Sequence, residues 1–214
     1  MAKSKNTNKS KSSSQAQSFP PGRIKIAESL KSLLEEKEFG AITTAEIAKV
    51  AGVSEALIYK YFKDKRALLY QVLKEYLDQY RMQFELDIKG IKGALNKLRK
   101  LVWTHIYVYA NNRVLAKLIF LEVRSFPDYY QSETYQWVKK EYSKRLLDII
   151  DEGIRNGEIR DDISPKFIRQ VILGGIEHVC LREVIFDQEI FPDELSENLC
   201  RLIFEGIERK TAGS

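Results

Sequence analysis

Histidine and cysteine are almost missing from this chain: its 214 residues include only His105 and His178, and only Cys180 and Cys200. No metal-ligand spacing and no histidine-centred nucleophile arrangement can be built from so few groups, and no glycine-rich phosphate loop is present. The sequence therefore predicts no enzyme, no metal and no cofactor. Two isolated cysteines suit free, buried thiols in a reducing cytoplasm, which is the expected location. Proline and glycine are also scarce, at 5 and 11, too few for a loop-rich or all-β chain. No apolar run approaches the roughly 18 residues of a membrane span, so no membrane association is expected. The N-terminus lacks the apolar stretch of a secretory signal.

What is present is 44% hydrophobic and 30% charged, the balance of a globular chain with a substantial core. The net charge is +5, and Lys3, Lys5, Lys9 and Lys11 supply four of those five charges within residues 1–22, where there is no acid. That stretch reads as a disordered basic tail. A polyanion partner and a merely solvated arm both fit it. The remaining chain is nearly neutral, so charge alone does not establish a nucleic-acid partner.

From Arg23 the pattern is helical. Ile26, Leu30, Leu33 and Leu34 form one stripe, predicting a helix that runs to about Phe39-Gly40. Thr43-x-x-Glu46 is a capping box that opens a second helix. Ser54 and Asp64 are placed to cap a third, short helix and a fourth from about 65 to 86. Further apolar stripes follow at Leu95–Tyr109, at Leu115–Val123, and in a long helix from Tyr135 to Ile154 closed by Asn156-Gly157. Ser164-Pro165 opens another helix and Pro192 precedes the last. The chain reads as all α, with a helix-turn-helix domain at 23–68 and a larger helical domain at 69–214.

The informative segment is 43–65. Two short helices meet at Ala51-Gly52-Val53-Ser54, a glycine-containing turn of the length that joins a helix-turn-helix. The second of them has two faces. Leu57, Ile58, Tyr61 and Phe62 point inward; Ala56, Tyr59, Lys60 and Lys63 share the other side. A small residue, a phenol and two cations suit a DNA major groove, although an ordinary solvated face has the same pattern.

The stretch ITTAEIAKVAGVSEALIYKYFKDKRALL resembles the DNA-binding domain of the tetracycline-repressor (TetR) family, through the Thr43-Thr44 pair, Ile47-Ala48, the turn, Tyr59, Phe62 and Lys65. The resemblance implies phosphate contacts from Thr44, Ser54, Tyr59 and Lys65, with Glu55, Ala56, Lys60 and Tyr61 at or near base edges. Many relatives have glycine where Ala56 stands and histidine where Tyr61 stands. Glu55 either complements the dipole of its helix or accepts a hydrogen bond from a cytosine amino group.

The same resemblance implies a homodimer joined through the last two long helices, about 165–187 and 193–209. The dimer would bind a near-palindromic double-stranded operator as a repressor and be released by a small apolar or amphipathic effector. The run Phe120–Arg124 and the helix after it resemble fatty-acid-responsive members, which points to an acyl-CoA or a similar amphipathic effector. Candidate ligand-binding residues are Trp103, Tyr107, Phe120, Glu122, Arg124, Trp137, Tyr142, Glu177 and His178. For each, a core or surface role is the competing reading, and His105 reads as a half-buried helix residue.

Overall fold

The computed structural model describes residues 19–207; most of the basic tail, residues 1–18, lies outside them. The first helix, α1 (Pro21–Glu36), starts earlier than the stripe predicted, because Pro21 fits the first helical turn, where its missing N–H costs nothing. It buries Ile26, Ala27, Leu30 and Leu33. It also stops before Phe39: Lys37 is extended, and Phe39–Ala41 forms a separate 3-10 turn that buries the Phe39 ring.

Helix α2 (Thr44–Ala51) begins as expected, the Thr43 hydroxyl accepting the Glu46 N–H at 3.1 Å. It ends at Gly52, whose φ of +65° is the left-handed cap that favours glycine. Helix α3 (Glu55–Tyr61) follows. Ser54 occupies its N-cap position, but the hydroxyl makes no capping bond; the Ser54 carbonyl accepts the Leu57 N–H instead. Asp64 does cap α4 (Lys65–Asp87), accepting the Ala67 N–H at 2.8 Å.

The larger part consists of α5 (Ala94–Asn111), α6 (Arg113–Lys117), α7 (Glu133–Val138), α8 (Lys144–Arg155), α9 (Pro165–Ile185) and α10 (Pro192–Ile207). Helix α5 packs on α8, α9 and α10. The α5–α8 contact is close enough that a Cβ on Gly153 would lie 2.8 Å from the Ala94 side chain and 2.6 Å from that of Ile159. No β-strand occurs among the described residues.

Two elements depart from simple helical periodicity. Helix α6 widens into a π turn at Leu118–Glu122, and the predicted long helix from Tyr135 is broken by a second π turn at Lys139–Ser143, between α7 and α8. Ser164 sits at the start of α9 without a side-chain cap bond. The predicted end of α9 at 187 shortens to 185, and α10 is helical up to Ile207, the last described residue, so its predicted end at 209 lies outside the described residues.

Helix α4 belongs to both parts. Its first turns bury Leu68, Leu69, Val72 and Leu73. A strut from the larger part meets it, formed by the 3-10 turns Val123–Ser125 and Pro127–Gln131. The Tyr70 hydroxyl donates to Asp128 at 3.0 Å, Arg66 pairs with the same carboxylate at 3.3 Å, and Thr134 donates to the Tyr70 carbonyl at 3.1 Å. Arg66 also lies 4.3 Å over the Phe126 ring, which meets Phe39 edge-on at 6.3 Å.

Candidate DNA-reading face and effector cavity

Helix α3 divides as its sequence predicts. Ile58 and Phe62 are buried and Leu57 and Tyr61 half-buried, while Glu55, Ala56, Lys60 and Lys63 face outward with Tyr59, which is 54% exposed. Apolar burial thus fixes the helix, leaving its polar side for a partner. Tyr61 is held against the start of α1: a Cβ on Gly22 would lie 3.4 Å from its ring and 3.2 Å from Leu57.

Of the eight residues carried over by resemblance, three are directly linked. The Thr44 hydroxyl donates to Glu55 at 2.9 Å, and the Tyr59 hydroxyl reaches Thr44 at 3.4 Å. Lys65 is placed differently from Lys60. Its ammonium donates to the carbonyls of Phe39 (2.9 Å) and Ile42 (2.5 Å) and lies 4.3 Å over the Phe39 ring. It therefore closes the 3-10 turn before α2, and burial lowers its pKa below that of an ordinary lysine.

Behind this face, a cavity of about 430 Å³ opens between α4, α5, the two π turns, α8 and α9. Its walls are mainly apolar: Leu77, Phe84, Leu101, Val108, Leu115, Ile119, Phe120, Leu146 and Leu173. Polar groups are set among them, chiefly phenols, with an imidazole and several charged side chains. Burial holds His105 below the ordinary imidazole pKa, which keeps the ring neutral with Nδ1 2.8 Å from the Leu101 carbonyl. Burial also raises the Tyr109 and Tyr142 hydroxyls and pushes Tyr129 up to about 12, so all three remain protonated near neutral pH. Tyr142 donates to the Leu77 carbonyl. Arg124 and Glu177 pair through both guanidinium Nη atoms, tying the strut to α9 at the cavity wall. Arg81, Glu85 and Arg145 are shared with an adjoining surface groove that also contains Lys89 and Lys97.

Four of the nine ligand-site candidates line this cavity: Phe120, Arg124, Tyr142 and Glu177. The other five do not. Trp103 and Tyr107 stack on each other at 4.9 Å, and the Trp103 indole donates to Asp193 of α10 at 2.6 Å, outside the cavity. Trp137 lies behind Tyr142, edge-on at 5.9 Å. Glu122 lines a small cleft with Glu38, Phe39 and Lys117 at the junction with α1, and burial raises its pKa. His178 is exposed on α9. Sequence reasoning missed Tyr80, Arg81, Phe84, Tyr129, Tyr130, Tyr135, Arg145 and Arg169, and read His105 only as a helix residue; these nine line the cavity, as does Tyr109, one of the large amphipathic side chains that the sequence offers for it. One signal was present in α5: Leu101, His105, Val108 and Tyr109 share a single apolar stripe that includes an imidazole and a phenol.

Both cysteines are free and buried; burial pushes Cys180 up to about 12 and Cys200 up to about 11. No helix among the described residues is long and apolar enough to cross a membrane.

Residues 26–72 match the bacterial regulatory proteins of the tetR family, and residues 73–206 match the C-terminal region of YsiA-like proteins. The chain belongs to the TetR family. Its helix-turn-helix is the family's DNA-binding domain, and its cavity lies in the C-terminal ligand-binding region of a transcription regulator. It is 30% identical over 190 residues to the fatty acid metabolism regulator protein of Bacillus subtilis, covering 89% of this chain and 97% of that one. The structure of FadR from Bacillus subtilis in complex with stearoyl-CoA superposes with a TM-score of 0.76 at 31% identity, over 86% of this chain and 99% of that chain. FadR from Bacillus halodurans shares the fold, with a TM-score of 0.75 at 22% identity, covering 88% and 97% of the two chains.

Proposed function

We propose that this TetR-family regulator is a repressor whose effector is a long-chain acyl-CoA. The observation that carries this reading is the joining of two surroundings at one wall. The apolar cavity falls in the range of about 300–1,000 Å³ usual for ligand sites. Arg81 and Arg145 stand where it adjoins a groove holding Lys89 and Lys97 beside Glu85, Asp148 and Glu152, with Lys97 paired to Glu152 and Arg81 to Glu85. An acyl chain suits the first environment and a nucleotide carrying several phosphates suits the second. The relative solved with stearoyl-CoA supports the assignment.

DNA is read by α3 through Ala56, Tyr59 and Lys60, with Thr44, Ser54 and Lys63 toward the phosphates. Dimerisation uses the outward sides of α9 and α10. These present Phe167 (58% exposed), Val171, Gly174 and Leu202 (78% exposed), while Ile168, Ile172, Ile176 and Cys180 face their own core. Two-fold pairing through those sides requires a near-palindromic operator. The effector prefers the dimer whose two α3 helices are spaced wrongly for adjacent grooves, and release follows from that difference in affinity.

The test begins by selecting genomic fragments with the purified protein, then titrating the bound duplex with palmitoyl-CoA, CoA and palmitate. Palmitoyl-CoA is expected to release the duplex and CoA alone to leave it bound. In Lys60→Ala/Lys63→Ala, each lost phosphate contact lowers the log–log salt slope by about 0.9. If no acyl-CoA changes DNA affinity, the effector assignment fails; if the protein selects no sequence, the reading of α3 fails.

A further inference from the structure

The outward side of α3 presents cations and hydroxyls, yet its first residue is an acid already committed to a neighbour. Glu55 reaches across the turn to a different helix and accepts a hydrogen bond from Thr44 at 2.9 Å. Tyr59, one turn along α3, donates to that same Thr44 oxygen at 3.4 Å. A helix-dipole role requires only that Glu55 sit in the first turn of α3. It does not require a carboxylate oxygen on a hydroxyl of α2. The arrangement places an anion on the hydroxyls that the proposed reading turns toward DNA phosphate.

We infer that Glu55 is an internal stand-in for phosphate, and that it sets specificity by opposing DNA that cannot compensate it. This rests on the reading of α3 as the DNA-contacting helix. A phosphate oxygen approaching Thr44 meets the Glu55 carboxylate, so binding requires the side chain to leave Thr44. On the operator, a base-edge amino group in the major groove, cytosine N4 above all, donates to the displaced carboxylate. On other sequences the carboxylate gains no donor and remains an anion beside the phosphates. The acid therefore weakens binding everywhere and is offset only where the correct base is present. Lys60 and Lys63, exposed on the same side, add a charge attraction that acts on all DNA alike, beside any base contact Lys60 makes.

The experiment compares wild type, Glu55→Gln and Glu55→Ala on two duplexes, the selected operator and a scramble of it, by fluorescence anisotropy at one salt concentration. Glu55→Gln keeps the shape and an acceptor for Thr44 while removing the charge, and far-ultraviolet circular dichroism verifies the fold. Both variants are expected to bind the scrambled duplex about tenfold more tightly and the operator no more tightly than wild type. The operator-to-scramble ratio would then fall by about tenfold or more, within the range of one good base-edge contact. A ratio within about twofold of wild type in both variants overturns the inference. In that case, loss of binding in Lys60→Ala/Lys63→Ala leaves the reading of α3 standing. Unchanged binding in that double variant overturns the reading of α3, and the role of Glu55 with it.

Discussion

The two ends of α4 are one helix in two kinds of surroundings. At the first end, Leu68, Leu69, Val72 and Leu73 are all buried; at the other, Leu77, Tyr80, Arg81 and Phe84 border a void. The DNA-binding part is filled, while the effector part has space in its middle. Filled packing fixes one arrangement of side chains, whereas a cavity leaves its wall without partner atoms on one side. The strut that pins Asp128 to Arg66 and Tyr70 joins the two regions, since its Val123 and Arg124 also line the cavity.

The sharpest way to break this contrast is to truncate the same residue type in each region. Ile58 is fully buried under α3, and Ile58→Ala is expected to cost about 3 kcal/mol of unfolding free energy. Ile119 is half-buried on the cavity wall, where Ile119→Ala should cost about 1 kcal/mol, since part of its surroundings is already empty. Urea denaturation measures both, and equal costs would remove the distinction. Next in size, Val108→Trp fills the cavity: it is expected to raise the palmitoyl-CoA concentration needed for release about tenfold, while effector-free operator affinity stays within about twofold.

A smaller effect separates two caps in the filled region. Thr43→Ala removes an observed cap bond and should cost about 1 kcal/mol. Ser54→Ala removes no such bond, so its cost should be only a few tenths of a kcal/mol, with DNA affinity reduced instead. Last, His105 belongs to the cavity side. Its pKa is lowered by burial, so the unfolded chain takes up a proton near pH 6.5 while the folded protein does not. Stability should therefore hold above about pH 6.5 and fall as the pH drops towards the lowered folded value. His105→Gln should flatten that part of the decline in a pH series of thermal melts.

The same contrast governs what was legible in the sequence. In the filled region, burial and helical period agree, so α2, α3, Gly52, Asp64 and the two faces of 55–63 followed from the residues. The limits of α1 did not: its stripe runs on toward Phe39, which is buried from a separate turn. The sequence also showed the outward side of α3, but not that Lys65 would turn inward to the Phe39 and Ile42 carbonyls. Around the cavity, a wall residue and a core residue present the same apolar stripe. Trp103 and Trp137 have the size and chemistry of pocket residues, yet they lie outside the cavity, because a large ring is equally suited to cover a helix–helix seam.

The two π turns have a consequence for how the pocket is inherited. Each adds a residue to one turn, so side chains beyond it point about 100° away from where an unbroken helix would carry them. Phe120 and Tyr142 sit within these turns, at Leu118–Glu122 and Lys139–Ser143. Deleting a single codon in either segment would restore regular winding and rotate the side chains that follow in that helix, changing which of them face the cavity. Relatives with different effectors could thus diverge by length changes of one residue, leaving the DNA-binding half untouched.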